Sequence, residues 1–153
     1  MSICELAAYY KNKGISVYEQ MQNIYKKYGY YLEDQYTITI KGAEGAIKIK
    51  EIMEKMRTNP PENIGKYKIV SISDYQLKKY NNLMTKEEKE TGLPKSNVLY
   101  YELENDNWCC IRPSGTEPKI KMYFGIKENN YDDAKNNLEY LKNEMIKIHK
   151  TGR

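Results

Sequence analysis

The chain has 153 residues, 40% of them hydrophobic and 30% charged, a composition that suits one ordinary globular domain or a smaller domain plus part of another. No apolar run approaches the ~20 residues of a membrane span. The first residues lack the basic and apolar segments of a secretory signal, so we expect a cytoplasmic protein that does not enter the membrane. The net charge of +4 is spread thinly through lysines, without the basic stripe typical of nucleic-acid-binding proteins.

Two short amphipathic helices are predicted at the start of the chain. Ile3 and Leu6 begin an apolar pattern at helical spacing. Ser16 and Glu19 have the spacing of a capping box at the start of the second helix. At under 30 residues the pair cannot bury its apolar faces alone, so we expect it to pack on the rest of this chain or on a segment outside it.

A sheet with accompanying helices is predicted for the remainder. Strand patterns, most of them alternating with period two, cover residues 36–40, 67–72, 97–103, 108–112 and 120–126. Helical patterns have their apolar faces at Ile49, Ile52, Met53 and Met56, and at Ala134, Leu138, Leu141, Met145 and Ile148. The order from residue 36, β-α-β-β-β-β-α, predicts an α+β fold in which helices cover one face of a mostly antiparallel sheet.

Residues 74–97 are the least readable segment. They are polar, and we predict irregular structure with one short helical turn capped by Thr85 and Glu88.

The cysteines indicate neither a metal site nor a disulfide framework. Cys4, Cys109 and Cys110 are odd in number, and none lies at zinc spacing from another pair of ligands. On the strand predicted at 108–112, Cys109 and Cys110 point to opposite faces. We expect reduced, partly buried thiols.

Residues 112–121 carry the chemistry of the chain. They read Arg-Pro-Ser-Gly-Thr-Glu-Pro-Lys-Ile-Lys between two predicted strands. Arg112 offers a planar fork that matches two phosphate oxygens, and Ser114 and Thr116 each offer an O–H donor. Gly115 tolerates a positive φ and lets consecutive backbone amides approach an anion, while Lys121 adds a second charge from the next strand. These groups predict a binding site for a phosphate dianion, and none of them is suited to cleaving a phosphate group.

Another interpretation of the same residues stays open. Ser-Gly-Thr is common in turns, and the segment could be a tight hairpin whose Arg makes an ordinary surface ion pair.

The segment 112–119, followed by Ile-Lys-Met-Tyr, resembles the C-terminal phosphate-binding loop of the α-D-phosphohexomutases, the family of phosphoglucomutases and phosphomannomutases. The similarity extends to Thr-Gly-Leu-Pro-Lys-Ser-Asn-Val-Leu at 91–99 and to Lys-Gly-Ala-Glu-Gly-Ala at 41–46. Residues 3–11 resemble the helical end of the third domain of that family. The resemblance covers nearly the whole chain, and residues 74–90 depart from it most.

The resemblance implies a four-domain parent. Its first domain carries a phosphoserine, its second a magnesium loop, its third a sugar-reading loop and its fourth a phosphate clamp with a TATA-binding-protein-like fold. Residues 1–34 would be the helical end of the third domain with a linker, and residues 35–153 the C-terminal phosphate-binding domain. The implied phosphate contacts are Arg112, Ser114, Gly115, Thr116 and Lys121.

The resemblance also implies function and partners. The parent would interconvert sugar 1-phosphates and sugar 6-phosphates through the phosphoserine and a bisphosphate intermediate. Its Mg²⁺ ligands and nucleophile would lie outside this chain, which would have no catalytic residue, metal or cofactor of its own and no activity alone. The expected partners are a phosphosugar and the missing N-terminal domains, with no nucleic acid and no membrane.

Two other functions remain open at this point. The chain could be a free-standing module that binds nucleic acid or phosphorylated ligands, which its basic balance and many tyrosines permit. It could also be a purely structural dimerisation domain.

Overall fold

The computed structural model describes residues 2–40, 42 and 44–151, and their side chains as far as Ile148. The helices of this part are α1 Ser2–Asn12, α2 Val17–Tyr28, α3 Gly45–Thr58 and α4 Tyr131–Thr151. The strands are β1 Tyr30–Thr39, β2 Asn63–Ile64, β3 Tyr67–Asp74, β4 Lys79–Asn82, β5 Glu88–Glu90, β6 Leu99–Leu103, β7 Trp108–Pro113 and β8 Lys119–Glu128. None of the described helices combines the length and apolar character needed to cross a membrane.

The strands form one antiparallel sheet in the order β1-β8-β7-β6-β3-β4-β5, and β2 pairs with β3. The longest pairing joins β1 to β8, from Tyr30 opposite Glu128 to Thr39 opposite Lys119. The predicted α+β class with a mostly antiparallel sheet is confirmed.

The core lies between one face of the sheet and the helices α3 and α4, as the α+β prediction requires. Alternate residues of β6, β7 and β8 point to this face and pack against both helices. Its fully buried side chains include Met53, Leu99, Tyr101, Ile111, Met122, Phe124 and Leu141. The opposite face carries no helix of the described chain, and we call it the open face.

A bulge at Val70 changes which residues of β3 face the core. The register shifts between Ile69 and Ser71, so that the side chain of Ser71 lies on the open face and donates a hydrogen bond to Glu102. Asp74 is thereby placed on the helix side, where it accepts a hydrogen bond from Arg57 of α3 at 2.8 Å. This pair is almost fully buried and ties the C-terminal end of α3 to the sheet.

The segment 74–97 differs from its prediction. It contains β4 and β5, which extend the sheet, and the expected helical turn at Thr85 and Glu88 is wrong because Glu88 begins β5. The turn between these strands is held instead by the Asn82 side chain, whose oxygen accepts hydrogen bonds from the Met84 and Thr85 amides, both at 2.9 Å. Short polar strands carry little hydrophobic period, so the pattern did not indicate them.

Helices α1 and α2 stand apart from the core. Neither contributes a buried residue, and Ile3 and Tyr18 are 62% and 65% exposed. The capping box predicted from Ser16 and Glu19 is present in both directions. The predicted domain boundary at residues 34 and 35 falls inside β1, which is already paired with β8 from Tyr30 onward.

Candidate functional site

Residues 114–118, which we call the loop, join β7 to β8 at one end of the sheet. Both ends of the loop are fixed by backbone hydrogen bonds. The Ser114 amide donates to the Lys119 carbonyl at 2.8 Å. The Ile40 amide, just after β1, donates to the Pro118 carbonyl at 3.0 Å. These two hydrogen bonds therefore hold both ends of the loop in place.

The tip of the loop presents backbone donors to solvent. The amides of Gly115, Thr116 and Glu117 have no acceptor among the described residues. Gly115 does not adopt the left-handed conformation that it could tolerate, and nothing lies within 4 Å of the place where its Cβ would be. Three successive free amides at an exposed tip can donate to the oxygens of an anion.

Arg112 and Lys121 lie directly opposite each other on β7 and β8. Their sequence neighbours Ile111 and Met122 are buried under the helices, so both cationic side chains lie on the open face. No carboxylate of the described chain lies within ion-pair distance of either cation. Like charges in directly opposite positions destabilise a sheet, and an anion between them would offset that repulsion.

The two loop hydroxyls are also available. Ser114 is half-buried and Thr116 is exposed, and neither side chain has a hydrogen-bond partner among the described residues. Among the described residues, neither hydroxyl is hydrogen-bonded to a base that could activate it, so both can bind a phosphate but are not set up to attack one. Glu117 forms an ion pair with Lys119 at 2.9 Å, which occupies the charge of Lys119.

A cavity of about 380 Å³ lies beside the loop. Its walls come from Ser114 to Pro118 on one side and from Gly42, Ala46 and Ile49 on the other. Ile49 belongs to the helix-covered core, so this cavity opens on the helix side, whereas Arg112 and Lys121 lie on the open face. The predicted residues thus form two groups at one end of the sheet, with Arg112 and Lys121 on the open face and the loop residues Ser114 to Thr116 beside the cavity on the helix side.

Sequence reasoning missed the contribution of α3 to this cavity. The segment 41–46 carried a resemblance, but no pattern indicated that it touches the loop. Lys41 and Ala43 of that segment lie outside the described residues.

The thiol nearest to the cation pair is not reactive at neutral pH. Cys110 lies two residues before Arg112, on the same face, and burial raises the pKa of its thiol to about 11 although the Arg112 charge opposes the rise. The described residues also contain no group of three or more His, Cys, Asp or Glu side chains placed to hold a metal ion. Among the described residues, the positive charges and free donors at this end of the sheet thus have neither a reactive thiol nor a metal-ligand cluster beside them.

No protein-family model matches the chain. Among curated proteins, the phosphoglucomutase of Staphylococcus aureus strain USA300 is 36% identical over 132 residues, which cover 86% of this chain and 24% of that relative. The phosphoglucomutase of Staphylococcus haemolyticus is 31% identical over 124 residues, which cover 81% of this chain and 22% of the relative. The chain belongs to the α-D-phosphohexomutase family.

The family recognised from the loop is thus confirmed, with the chain as a C-terminal segment of a phosphohexomutase. The chain spans about a quarter of the length of the curated relatives that it matches. Among solved structures it is similar to the open form of pp63/parafusin, a phosphoglucomutase from Paramecium, with a TM-score of 0.48 and 17% identity over 94% of this chain and 26% of that one.

Proposed function

We propose that the chain is the phosphate-holding part of a phosphoglucomutase or phosphomannomutase that interconverts sugar 1-phosphates and sugar 6-phosphates. Residues 35–153 are the C-terminal phosphate-binding domain, and residues 1–34 are the helical end of the preceding domain with its linker. The parent works in the cytoplasm through a phosphoserine and a bisphosphate intermediate. The Mg²⁺ that the family implies has no fitting ligand set among the described residues.

The unpaired cations Arg112 and Lys121 support this proposal most directly. They lie opposite each other without a carboxylate partner among the described residues, on the two strands joined by the loop whose Gly115 and Thr116 amides are free. A sheet that holds two like charges together is explained if a dianion normally lies between them and the loop tip. Arg112 then supplies paired N–H donors, and the Ser114 and Thr116 hydroxyls complete the grip.

The role of such a grip is to position the substrate. Phosphoryl transfer depends mostly on positioning and electrostatic stabilisation. Holding the phosphate that does not react orients the other end of the sugar, and that remote binding energy assists the reacting centre. Because the sugar must be accepted in two orientations, the site should recognise phosphate rather than the ring.

Phosphate binding by the chain itself tests the proposal. Titration with inorganic phosphate, followed by amide NMR, should move the resonances of residues 112–121. Arg112→Ala should weaken binding by about tenfold or more, since a hydrogen bond to a charged group contributes roughly 1.5–3 kcal/mol. Lys68→Ala, which removes an exposed lysine of β3, is the control and should bind as the unsubstituted chain does.

Two outcomes would count against the proposal. One is an Arg112→Ala chain that binds phosphate with unchanged affinity. The other is binding to random-sequence DNA with a steep dependence on salt, which would favour a nucleic-acid-binding module instead. In the full-length parent, Arg112→Ala should weaken substrate binding and slow turnover together.

A further inference from the structure

Gly45, the first residue of α3, has no room for a side chain. A Cβ at this position would lie 2.3 Å from the Ile40 carbonyl oxygen and 3.1 Å from the Pro118 Cβ. The first distance is far below any normal contact, and the atom it meets belongs to the backbone, which cannot rotate away. Gly45 does not have a positive φ, so the requirement for glycine here is one of space and not of backbone conformation.

Both residues that a Cβ on Gly45 would meet belong to the support of the loop. Pro118 ends the loop, and its carbonyl accepts the hydrogen bond from the Ile40 amide at 3.0 Å. Ile40 follows β1, whose last pair places Thr39 opposite Lys119, the first residue of β8. Three elements therefore pack closely together at this point: the start of α3, the end of β1 and the C-terminal end of the loop.

We propose that Gly45 is a positioning residue for the phosphate-binding loop. It touches no part of the predicted grip, but it lets α3 approach closely enough to fix Ile40 and Pro118. The position of Pro118 sets where the amides of Gly115 to Glu117 point. The consequence for phosphate binding rests on the proposed function, whereas the effect on the loop itself does not.

Gly45→Ala in the whole chain tests the inference, with amide NMR in the absence and in the presence of inorganic phosphate. Without phosphate, the substitution should shift the amide resonances of residues 114–119 and speed hydrogen exchange at the Ile40 amide. With phosphate, it should weaken binding by about tenfold or more, because a displacement on the order of 1 Å can cost up to about 100-fold at a positioned group.

Leu138→Ala is the matched control for lost stability. It creates a cavity in the core under α4. The neighbouring residue Asn137 donates a hydrogen bond to Glu128, which lies at the end of β8 away from the loop. The substitution should leave the loop resonances and the phosphate affinity unchanged. If Gly45→Ala does not fold, Pro118→Gly removes the Pro118 Cβ that packs towards the start of α3 and should shift the same resonances.

The results separate the two proposals. Unchanged loop resonances in Gly45→Ala, or in Pro118→Gly where the former does not fold, would overturn the positioning role whatever the phosphate affinity. Equal shifts of the loop in Leu138→Ala would overturn it as well, since any loss of stability would then suffice. Shifted loop resonances in Gly45→Ala, together with no phosphate binding by the unsubstituted chain, would keep the positioning role and remove the proposed function.

Discussion

Cys109 and Cys110 are adjacent in sequence but occupy opposite sides of the sheet. Cys109 is fully buried in the core, while Cys110 is half-buried on the open face between Trp108 and Arg112. Burial raises the pKa of both thiols, and that of Cys110 lies at about 11. The period-two pattern predicted this division correctly, because alternation along a strand depends only on backbone geometry.

The raised thiol pKa values predict a loss of stability in alkaline solution. An unfolded cysteine ionises near pH 8.5, whereas these thiols stay protonated in the folded chain up to a higher pH. Between those values the unfolded state binds fewer protons than the folded state, so the free energy of unfolding falls as pH rises. From pH 8 to pH 10 we expect a fall on the order of 4 kcal/mol from the two thiols, about half of it from each.

Urea unfolding at several pH values measures this effect. Cys110→Ala should reduce the fall, since one of the two thiols is gone. Cys4→Ala is the control and should leave the fall unchanged, because Cys4 is exposed in the folded chain. An equally steep fall in Cys110→Ala would show that other groups govern alkaline stability.

The sequence named candidate site residues but could not give their arrangement. Arg112 and Lys121 could be placed on the two strands that flank the loop, because those strands and the intervening bend were readable. That Arg112 lies on the open face while the loop cavity opens towards α3 could not be predicted, since it depends on which helix packs at that end of the sheet. The same holds for the buried pair of Arg57 and Asp74, which the bulge at Val70 brings together.

Helices and strands with a strong hydrophobic period could be predicted from the sequence, whereas those with a weak period could not. The helices α3 and α4 follow their predicted apolar faces closely, since burial of those faces drives their packing. The strands β4 and β5 escaped prediction because they are polar and paired at the edge of the sheet. β1 begins earlier than its alternating pattern because pairing with β8 extends it back to Tyr30.

The capping box of α2 is an element-scale device whose effect can be isolated. The Ser16 Oγ accepts a hydrogen bond from the Glu19 amide at 3.1 Å, and the Glu19 carboxylate accepts one from the Ser16 amide at 2.6 Å. Since α2 buries no residue, its stability depends on such local bonds more than that of α3 or α4 does. Ser16→Ala should therefore loosen α2 by about 1 kcal/mol and leave the core unaffected.

Hydrogen exchange tests this prediction, because the exchange rates of the amides can be compared helix by helix. The α2 amides should exchange about fivefold faster in Ser16→Ala, while those of α4 keep their rates. Ser16→Asp retains a capping oxygen and should exchange like the unsubstituted chain. Faster exchange throughout the molecule would mean that α2 supports the whole fold, contrary to its exposed position.

The exposed helix pair fits a chain that is part of a larger protein. The apolar side chains Ile3, Leu6, Met21 and Ile24 remain 40% or more exposed, so the pair finds no cover in the described chain. The relatives are about four times as long as the segment that they share with this chain. We propose that the missing part of the parent covers these faces, as the expectation of partner domains requires.

At the scale of the whole molecule, we predict that the purified chain has no mutase activity. The proposed site would hold one phosphate, but the Ser114 and Thr116 hydroxyls have no hydrogen-bonded base among the described residues. Incubation with glucose 1-phosphate and a bisphosphate activator should yield no 6-phosphate, whereas the full-length phosphoglucomutase of Staphylococcus aureus serves as the positive control. Arg112→Ala distinguishes contamination from real turnover, since a trace activity that survives it comes from another enzyme. Turnover that disappears in Arg112→Ala would mean that this segment carries a complete catalytic site, and the assignment of a holding role would then be wrong.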